Sequence, residues 1–485
     1  MKQQRPYPIL TVSKKAERSI LNGHPWVYDA EIRQTTGVLT NGCLVDVISA
    51  PSSFQKQADC HSSAKETEAS TQQAAQKTGK YLGTGFYSEH SKIRIRLISR
   101  NANDKFDAAF WARRIRYAWE YRKTVMSADI DCCRIIFGEA DQFPGLTVDR
   151  FHDILVAQTL SYGMDLLKPV IFPLLVQILT EDGQNIRGIY ERNDVSIREL
   201  EGLGQYKGWY PLDSAQRAVK SSMQMDSLEK TAIAPVLPVS QASGSKEARV
   251  GGCVSKEEHI EEHLSAVPSC ITEITENGII YQVDVENGQK TGFFLDQKYN
   301  RQAVARLAEG KHVLDCFTHT GSFALNAAKG GAASVCAVDI SQTAIDMARR
   351  NAERNGLADR MTFRVANVFD LLPQLEHSHE EKYDFIILDP PAFTKSRRTV
   401  DSAKKGYKEI NLRAMKILPR GGYLATCSCS HFMPDELFIK MLHSAAADAG
   451  VQLRQIEARQ QAPDHPILWN VPETDYLKFY LFQVI

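Results

Sequence analysis

The stretch of sequence that decides the fold is KHVLDCFTHTGSFALNAAKGGAASVCAVDI, residues 311–340. It starts as an apolar run that ends at Asp315, passes through a turn into a helix closed by glycine, and enters a second apolar run that ends at Asp339. Short apolar runs bounded by turns indicate strands that are buried on both faces. The stretch therefore predicts a strand, a helix and a second strand parallel to the first.

The same unit repeats toward the C terminus. Ser341 and Gly356 supply the N-cap and the stop signal of a further helix. Strands are predicted over 361–367, 383–389 and 421–428, and another helix over 404–418. Alternating strands and helices of this kind predict a Rossmann-like α/β domain, in which helices cover both faces of a parallel sheet. Ligands bind at the carboxyl ends of the strands in such a sheet.

Polar residues at those strand ends indicate the ligand. The turn after Asp315 holds a single glycine, Gly321, and lacks the GxGxxG pattern, so a dinucleotide is disfavoured. Asp339 suits ribose hydroxyl groups, and Asn367 can offer its amide to the edge of a base. Together these residues predict a nucleoside without phosphates, of which S-adenosylmethionine is the common example. A sheet of this kind that binds another ligand, or none, is the alternative.

Two loops at the same edge carry candidate chemistry. The fourth strand runs into DPPAF, residues 389–393, and its two prolines fix a loop that can aim a carboxylate at a planar substrate. The fifth strand ends in TCSCS, residues 426–430. Because side chains alternate along a strand, Cys427 and Cys429 point to the same side, and either thiol could attack C6 of a pyrimidine. Such an attack makes C5 nucleophilic enough to accept a methyl group. Taken alone, free cysteines are often small core residues.

The N-terminal part of the chain carries a basic segment. Although the whole chain has 58 basic and 58 acidic residues, the range 80–123 holds eleven basic and four acidic ones. The range 92–99 alternates as a strand with a basic face, and 110–125 predicts a basic helix with aromatic residues. These features predict contacts with nucleic-acid phosphates, and a solvated charged face is the alternative. The predicted contacts are Lys92, Arg94, Arg96, Arg113 and Arg114.

Length and composition exclude several classes of protein. A chain of 485 residues is too long for one domain of ~100–200 residues, so two or three domains are expected. No uncharged apolar run reaches the ~20 residues of a membrane span, and no signal peptide is expected. Ten cysteines without a CxxC pair favour a reduced, cytoplasmic setting and no metal site.

Two polar stretches interrupt these patterns. Residues 52–78 predict a disordered insertion, and residues 216–269 predict a flexible one, because neither can bury enough apolar surface. The second stretch contains a decoy, since His259, Glu262 and His263 form an H-x-x-E-H pattern. Its polar, acidic flanks favour a solvated helical turn over a zinc site.

The motifs together resemble a known family. The chain is similar to the large-subunit 23S ribosomal RNA cytosine-C5 methyltransferases, which depend on S-adenosylmethionine and carry an N-terminal PUA domain. The resemblance covers roughly the whole chain outside the two polar stretches. It is carried by the motifs GHPWVY (23–28), FGEADQFPGLTVDRF (137–151), ERNDVSIRELEGL (191–203), NGQKTGFFLDQKYNR (287–301), LDCFTHTGSFAL (314–325), LDPPAFTKS (388–396), GYKEINLRAMKIL (406–418) and CSCSHF (427–432).

The resemblance implies a domain organisation and a set of site residues. A PUA-type RNA-binding barrel is implied for residues 1–102, a middle α/β domain that positions RNA for 103–286, and a class I methyltransferase domain for 287–485. Cys429 matches the motif cysteine, with Cys427 as its companion, and Asp389 matches the group that holds the cytosine edge. Asn367 departs from the acidic residue usual at its position. The implied cofactor contacts are Lys290, Thr291, Asp315, Phe317, Thr318, Gly321, Ser322, Asp339, Ile340, Asn367, Val368, Asp389 and Pro390.

The resulting hypothesis is methylation of C5 of a cytosine in ribosomal RNA through a covalent cysteine adduct. One alternative is methylation of the N6 amine of adenine or the N2 amine of guanine, for which the DPPAF loop suffices. A second is a non-catalytic RNA-binding protein whose sheet is only a scaffold. A nicotinamide oxidoreductase is disfavoured by the missing glycines. The sequence leaves the target nucleotide open and allows a homodimer.

Overall fold

The computed structural model describes residues 5–51, 79–212, 268–378, 380–394 and 396–485. The predicted insertion at 52–78 and all but the last two residues of the one at 216–269 lie outside these ranges. The H-x-x-E-H decoy also lies outside them.

The N-terminal sheet contains six strands within the described ranges, in the order β2-β6-β5-β4-β1-β3. The predicted strand at 92–99 is confirmed as β6 to within one residue. Its elements are β1 (Ile9–Val12), α1 (Lys14–Leu21), β2 (Trp26–Tyr28), β3 (Ile32–Thr36), β4 (Leu44–Ser49), β5 (Tyr81–Tyr87) and β6 (Ile93–Ser99).

The middle sheet has the order β11-β10-β9-β8-β7. The helical region 162–181 is divided at Leu167, and Pro169 stands in the first turn of the longer piece, where a proline has no helical hydrogen bond to lose. The elements are α2 (Ala108–Met126), β7 (Cys132–Phe137), β8 (Leu146–Phe151), β9 (Ile154–Thr159), α3 (Tyr162–Leu166), α4 (Lys168–Glu181), β10 (Gly188–Arg192) and β11 (Lys207–Trp209).

The C-terminal sheet has the order β16-β15-β14-β17-β18-β20-β19 and follows a hairpin of two strands, β12 and β13. The strands are β12 (Ile271–Glu276), β13 (Ile279–Asp284), β14 (His312–Cys316), β15 (Ser334–Asp339), β16 (Met361–Val365), β17 (Phe385–Leu388), β18 (Tyr423–Ser428), β19 (Leu453–Arg459) and β20 (Lys478–Val484). The helices are α5 (Lys298–Ala305), α6 (Ser322–Lys329), α7 (Gln342–Arg354), α8 (Val368–Ser378), α9 (Val400–Ile417) and α10 (Asp435–Ala449).

The predicted α/β fold is confirmed, with one correction. Strands β14 to β18 are parallel, as the repeated unit predicts, but β20 runs antiparallel to both β18 and β19. This sheet is therefore mixed at one edge.

Burial on both faces explains why the central strands are apolar throughout. Along β17, Phe385 and Ile387 pack into the core on one face, whereas Ile386 and Leu388 pack into the core on the other. A fully buried side chain of this size contributes about 1.5–3 kcal/mol to stability. The N-cap prediction also holds, since the Ser341 hydroxyl accepts a hydrogen bond of 3.3 Å from the amide of Ala344.

The segment between β19 and β20, residues 460–477, contacts the other two sheets and is named the bridging segment. Tyr121 and Arg122 of α2 donate hydrogen bonds to its carbonyls at Pro463 and Asp464. Glu473 lies 3.5 Å from the imidazole of His24 in the N-terminal sheet region. No helix in the described ranges is long and apolar enough to cross a membrane.

Candidate active site

The loop after β14 has an unusual backbone. Phe317, His319 and Gly321 adopt positive φ angles of 65°, 52° and 82°. Two non-glycine residues in this region are strained, and such strain concentrates at functional sites. A Cβ atom on Gly321 would lie 2.9 Å from the Cβ of Ala348, so only glycine allows the loop to approach α7 this closely.

Asp315 fixes the conformation of this loop through two hydrogen bonds. Its Oδ2 accepts hydrogen bonds from the hydroxyl of Thr318 at 2.6 Å and the amide of Ala324 at 2.9 Å. The side chain is completely buried, and burial together with the charges of Asp389 and Asp339 raises its pKa to about 7. Asp315 therefore holds the loop in place from beneath the ligand-binding surface.

Asp339 lies at the surface of the site. Its two carboxylate oxygens each accept a hydrogen bond of 2.9 Å, one from the amide of His319 and one from the amide of Ser341. The neighbouring Ile340 is 71% exposed, an unusual environment for an apolar side chain at the end of a buried strand. Burial lowers the pKa of the His319 imidazole to about 4, so this ring is neutral at pH 7.

Asn367 begins the helix α8 at the next strand end. Its side-chain oxygen accepts a hydrogen bond from the amide of Phe369, and its amide donates to Asp370. The side chain is exposed, whereas Val368 is buried. The predicted contact of Asn367 with a base edge remains a prediction.

These elements enclose one cavity of about 360 Å³, which is named the rim cavity. The sequence-predicted residues that line it are Lys290, Phe317, Thr318, Ser322, Asp339, Ile340, Asn367, Val368, Asp389, Pro390 and Cys429. Asp315, Gly321, Thr291 and Cys427 do not line it. Thr291 instead donates a hydrogen bond of 2.6 Å to Asp149 in the middle sheet.

Asp389 contacts the loop before α5 and interacts with both candidate thiols. The side-chain amide of Gln297 donates a hydrogen bond of 2.9 Å to its Oδ1. Burial and the nearby charge of Asp296 raise the pKa of Asp389 to about 6. This carboxyl group can therefore gain or lose a proton near neutral pH, as a general acid or base requires.

The two cysteines occupy different environments. Cys427 pairs with Phe479 across the sheet and is completely buried in the apolar core. Cys429 follows the end of β18, is half-buried and lines the rim cavity. Burial raises the pKa of its thiol to about 11, while Lys290 opposes the shift and Asp389 adds to it. The thiol is therefore protonated at pH 7 and faces a cation that favours its thiolate form.

Asp296 ends the loop from Lys290 that the family resemblance implies helps to enclose the cofactor, but the sequence gives this residue no role of its own. Burial disfavours its charge, but Lys290, His465, Tyr476 and Arg134 outweigh burial and lower its pKa to about 2. The residue lies within the motif at 287–301. Its burial and its neighbours from the bridging segment depend on tertiary contacts, so the sequence holds no direct signal for its role.

A second cavity of about 250 Å³ adjoins the first and is named the inter-sheet cavity. Lys290, Phe294 and Asp296 line both cavities. The wall of the inter-sheet cavity also includes side chains from the middle-sheet region and the bridging segment, namely Arg134, Thr147, Gln158, Val195, His465 and Tyr476.

The predicted RNA contacts fall into two groups. Lys92 and Arg113 are exposed. Arg94, Arg96 and Arg114 are engaged within the protein, where Arg94 pairs with Asp29, Arg96 with Glu139 and Glu201, and Arg114 binds backbone carbonyls. As RNA contacts, all five stay predictions.

Comparisons with known proteins agree with this architecture. A sequence profile described as S-adenosylmethionine-dependent methyltransferase matches residues 221–483, and a profile of the PUA-like domain matches residues 10–55 and 64–100. The fold and the rim cavity define a methyltransferase of the Rossmann-like type. The chain belongs to the family of S-adenosylmethionine-dependent methyltransferases, and its methyl donor is S-adenosylmethionine.

Individual relatives span the whole chain. Ribosomal RNA large subunit methyltransferase I of Klebsiella pneumoniae (strain 342) is 32% identical over 481 residues, which cover 99% of each chain. Its namesake from Erwinia tasmaniensis is 34% identical over 478 residues, which cover 98% of this chain and 99% of that protein.

Solved structures share the fold. A chain from Streptococcus mutans described as a SAM-dependent methyltransferase aligns with a TM-score of 0.67 at 20% identity, covering 98% of this chain and 99% of that one. Another, in complex with SAH, aligns with a TM-score of 0.69 at 19% identity over the same shares.

The rim cavity fits this cofactor chemically. Asp339 presents carboxylate oxygens at its surface, and the exposed Ile340 and partly exposed Phe369 offer apolar surface for an adenine ring. Gly321 lacks a Cβ atom, which lets the loop after β14 lie close against α7. The individual cofactor contacts stay predictions.

Proposed function

We propose that this protein transfers a methyl group from S-adenosylmethionine to C5 of a cytosine in the RNA of the large ribosomal subunit. The observation that carries the proposal is the position of Cys429, which lines the same cavity as Asp339 and Asp389. The names of the full-length relatives support ribosomal RNA as the substrate. We also propose that the protein acts in the cytoplasm, and a homodimer stays a prediction.

Cys429 is the nucleophile in this proposal. Its thiol loses a proton to solvent, and the sulfur then forms a bond to C6 of the cytosine, which moves an electron pair through C5 and C4 toward N3. Lys290 favours the thiolate, because its ammonium group lowers the pKa of Cys429. Covalent attack of this kind replaces one difficult step with two easier ones.

Asp389 receives the displaced charge. Its pKa of about 6 lets it donate a proton to N3 as the electron pair arrives. When bound, S-adenosylmethionine supplies the electrophilic methyl group that the activated C5 accepts. A base then removes the C5 proton, the C5–C6 double bond re-forms, the Cys429 sulfur leaves, and N3 returns its proton to Asp389.

The proposed adduct can be trapped with RNA that contains 5-fluorocytidine, because the fluorine on C5 cannot be removed as a proton. Wild-type protein should form a covalent complex that resists denaturing gels, and Cys429→Ala should not. Cys336→Ala removes a thiol from β15, outside the rim cavity, and should behave as wild type.

The same variants separate the alternatives. Full methylation activity of Cys429→Ala would contradict the covalent route and favour transfer to an exocyclic amine. Mass-spectrometric mapping of methylated cytidine in ribosomal RNA, with and without the gene, identifies the target. Unchanged modification at every cytosine would contradict the proposed substrate.

A further inference from the structure

One oxygen of a buried carboxylate has no partner in the part of the chain that the structure describes. Asp296 is 5% exposed, and its Oδ2 accepts a hydrogen bond of 2.7 Å from the hydroxyl of Tyr476. Its Oδ1 is buried and has no hydrogen-bond partner there. A buried acceptor without a donor is unfavourable, so this oxygen indicates a ligand that supplies an N–H or O–H group.

The surrounding cations do not supply that donor. Arg134 directs its guanidinium at Asp149, with hydrogen bonds of 2.6 and 2.8 Å. Lys290 lies 4.5 Å above the ring of Phe294. Both groups favour the ionised form of Asp296, which therefore presents a negatively charged acceptor to both cavities.

The inter-sheet cavity has the size and lining expected for a single base. Its volume of about 250 Å³ is below the ~300–1,000 Å³ of pockets that hold drug-sized ligands. Phe294, His465 and Tyr476 contribute rings against which a base can pack, and Thr147 and Gln158 contribute polar groups. Two residues of the wall that it shares with the rim cavity, Lys290 and Asp296, both act on the pKa of Cys429, so the nucleophile lies near this wall.

We propose that the inter-sheet cavity receives the extruded target base, and that Asp296 Oδ1 accepts a hydrogen bond from the exocyclic amine of cytosine. Asp296 is then the residue that selects cytosine over uracil. This inference rests on the proposed function, because it assumes that a pyrimidine reacts with Cys429. The amine contacts Asp296 at the wall that the two cavities share, the adjacent N3 lies toward Asp389, and Cys429 approaches C6 from the face of the ring.

The selectivity follows from donor and acceptor patterns. Cytosine carries an amine on C4, which donates to a carboxylate, whereas uracil carries a carbonyl oxygen, which only accepts. Uracil would place two acceptors against each other in a buried site and be rejected. An asparagine at position 296 offers both an oxygen and an amide N–H, so it tolerates either base.

The test compares wild type with Asp296→Asn on two RNA fragments that differ only in carrying cytosine or uracil at the target. We expect the ratio of kcat/KM for cytosine to that for uracil to fall about 10- to 100-fold in Asp296→Asn. Calorimetry with S-adenosylmethionine should give a Kd close to that of wild type. Asp346→Asn makes the same chemical change on the exposed face of α7 and should alter neither quantity.

Two results would overturn the inference. The first is an unchanged base ratio in a folded Asp296→Asn protein. The second is a loss of affinity for S-adenosylmethionine with no change in the ratio of kcat/KM for cytosine to that for uracil. That result would mean that Asp296 Oδ1 binds the ammonium group of S-adenosylmethionine and not the base. Failure of the wild-type protein to form the Cys429 adduct would instead overturn the proposed function.

A second variant covers the case in which Asp296→Asn does not fold. Val195 lines the inter-sheet cavity and not the rim cavity, so Val195→Trp fills the former from the middle-sheet side. We expect this variant to bind S-adenosylmethionine as wild type does and to lose at least about tenfold in kcat/KM for RNA. Unchanged RNA methylation by a folded Val195→Trp protein would rule out the inter-sheet cavity as the base site.

Discussion

The side-chain amide of Gln297 donates a hydrogen bond of 2.9 Å to Oδ1 of Asp389, and the carbonyl oxygen of Gln297 accepts one of 2.6 Å from Asn300. This chain of hydrogen bonds holds the Asp389 carboxyl group at a fixed angle in the rim cavity. Replacement of Gln297 by leucine should free that carboxyl group to rotate.

We expect Gln297→Leu to lower kcat about 10- to 100-fold, because a catalytic group that is no longer oriented reacts less often. Cofactor affinity should fall much less than kcat, as calorimetry can show. Gln342→Leu, on the exposed surface of α7, is the matched control. Equal losses in kcat and in cofactor affinity would argue that Gln297 supports the cavity as a whole.

The pH profile depends on two groups whose pKa values lie far apart. Asp389 has a pKa of about 6 and Cys429 a pKa of about 11, and the proposed reaction needs a proton on the first and none on the second. Between these values, rising pH removes as much of the protonated carboxyl as it adds of thiolate. Wild-type kcat/KM should therefore be flat from about pH 7 to 9 and fall below about pH 6.

Asp389→Asn should change the shape of this profile. Its amide keeps an N–H donor but no longer titrates, so kcat/KM should rise about tenfold per pH unit as the Cys429 thiolate forms. Initial rates with saturating S-adenosylmethionine measure both profiles. A flat profile for Asp389→Asn would contradict the assignment of Asp389 as the proton donor.

Gly321 and Gly356 allow a matched test of the loop after β14. Both have positive φ angles, 82° and 64°, but only at Gly321 would a Cβ collide with a neighbour. Alanine at either position should cost about 1–3 kcal/mol of stability through backbone strain. Only Gly321→Ala should also weaken S-adenosylmethionine binding, by about tenfold or more, because the loop must move. Equal cofactor affinities in the two variants would contradict this role of the loop.

Glu276 and Arg301 join the hairpin of β12 and β13 to α5 through two hydrogen bonds of 2.7 and 2.9 Å. Both side chains are at most 1% exposed. Glu276→Gln leaves a buried guanidinium without its counterion, so we expect a loss of about 3–5 kcal/mol in the free energy of unfolding. Urea denaturation measures the loss. A change below about 1 kcal/mol would show that solvent reaches the pair.

The basic segment should divide into RNA-binding and structural residues. Lys92→Ala and Arg113→Ala should each weaken RNA binding and reduce the slope of log affinity against log salt by about one. Arg96→Met should instead lower stability by about 1–3 kcal/mol, because it leaves Glu201 buried without its partner. Filter binding at several salt concentrations and urea denaturation separate the effects. Equal salt slopes for all three variants would contradict the division.

Local patterns predicted the central sheet well. The strand HVLDC and the helix that begins after Ser341 depend on burial and capping within a few residues, and both are found as predicted. The position of β20 between β18 and β19 depends on pairing between distant parts of the chain, which periodicity does not report. The patterns described above do not predict the helix α8, which contains Pro373.

The candidate site shows the same limit. Cys429 and Asp389 follow the ends of neighbouring parallel strands. Because the carboxyl ends of such strands meet at one edge of the sheet, the sequence alone predicts that these two residues lie close together. Cys427 alternates with Cys429 as expected, yet the antiparallel strand β20 buries it. Asp296 and Gln297 become site residues only through contacts with Tyr476 and Asp389. The sequence predicts Arg96 as a contact for RNA phosphates, but the structure pairs it with Glu139 and Glu201, which come from the region of the middle sheet.

The bridging segment contacts Tyr121 and Arg122 through Pro463 and Asp464 and contacts His24 through Glu473, and its last residue, Leu477, lies in the wall of the rim cavity. A continuous stretch of backbone therefore reaches from contacts with α2 and the N-terminal sheet region to the cavity that Cys429 lines.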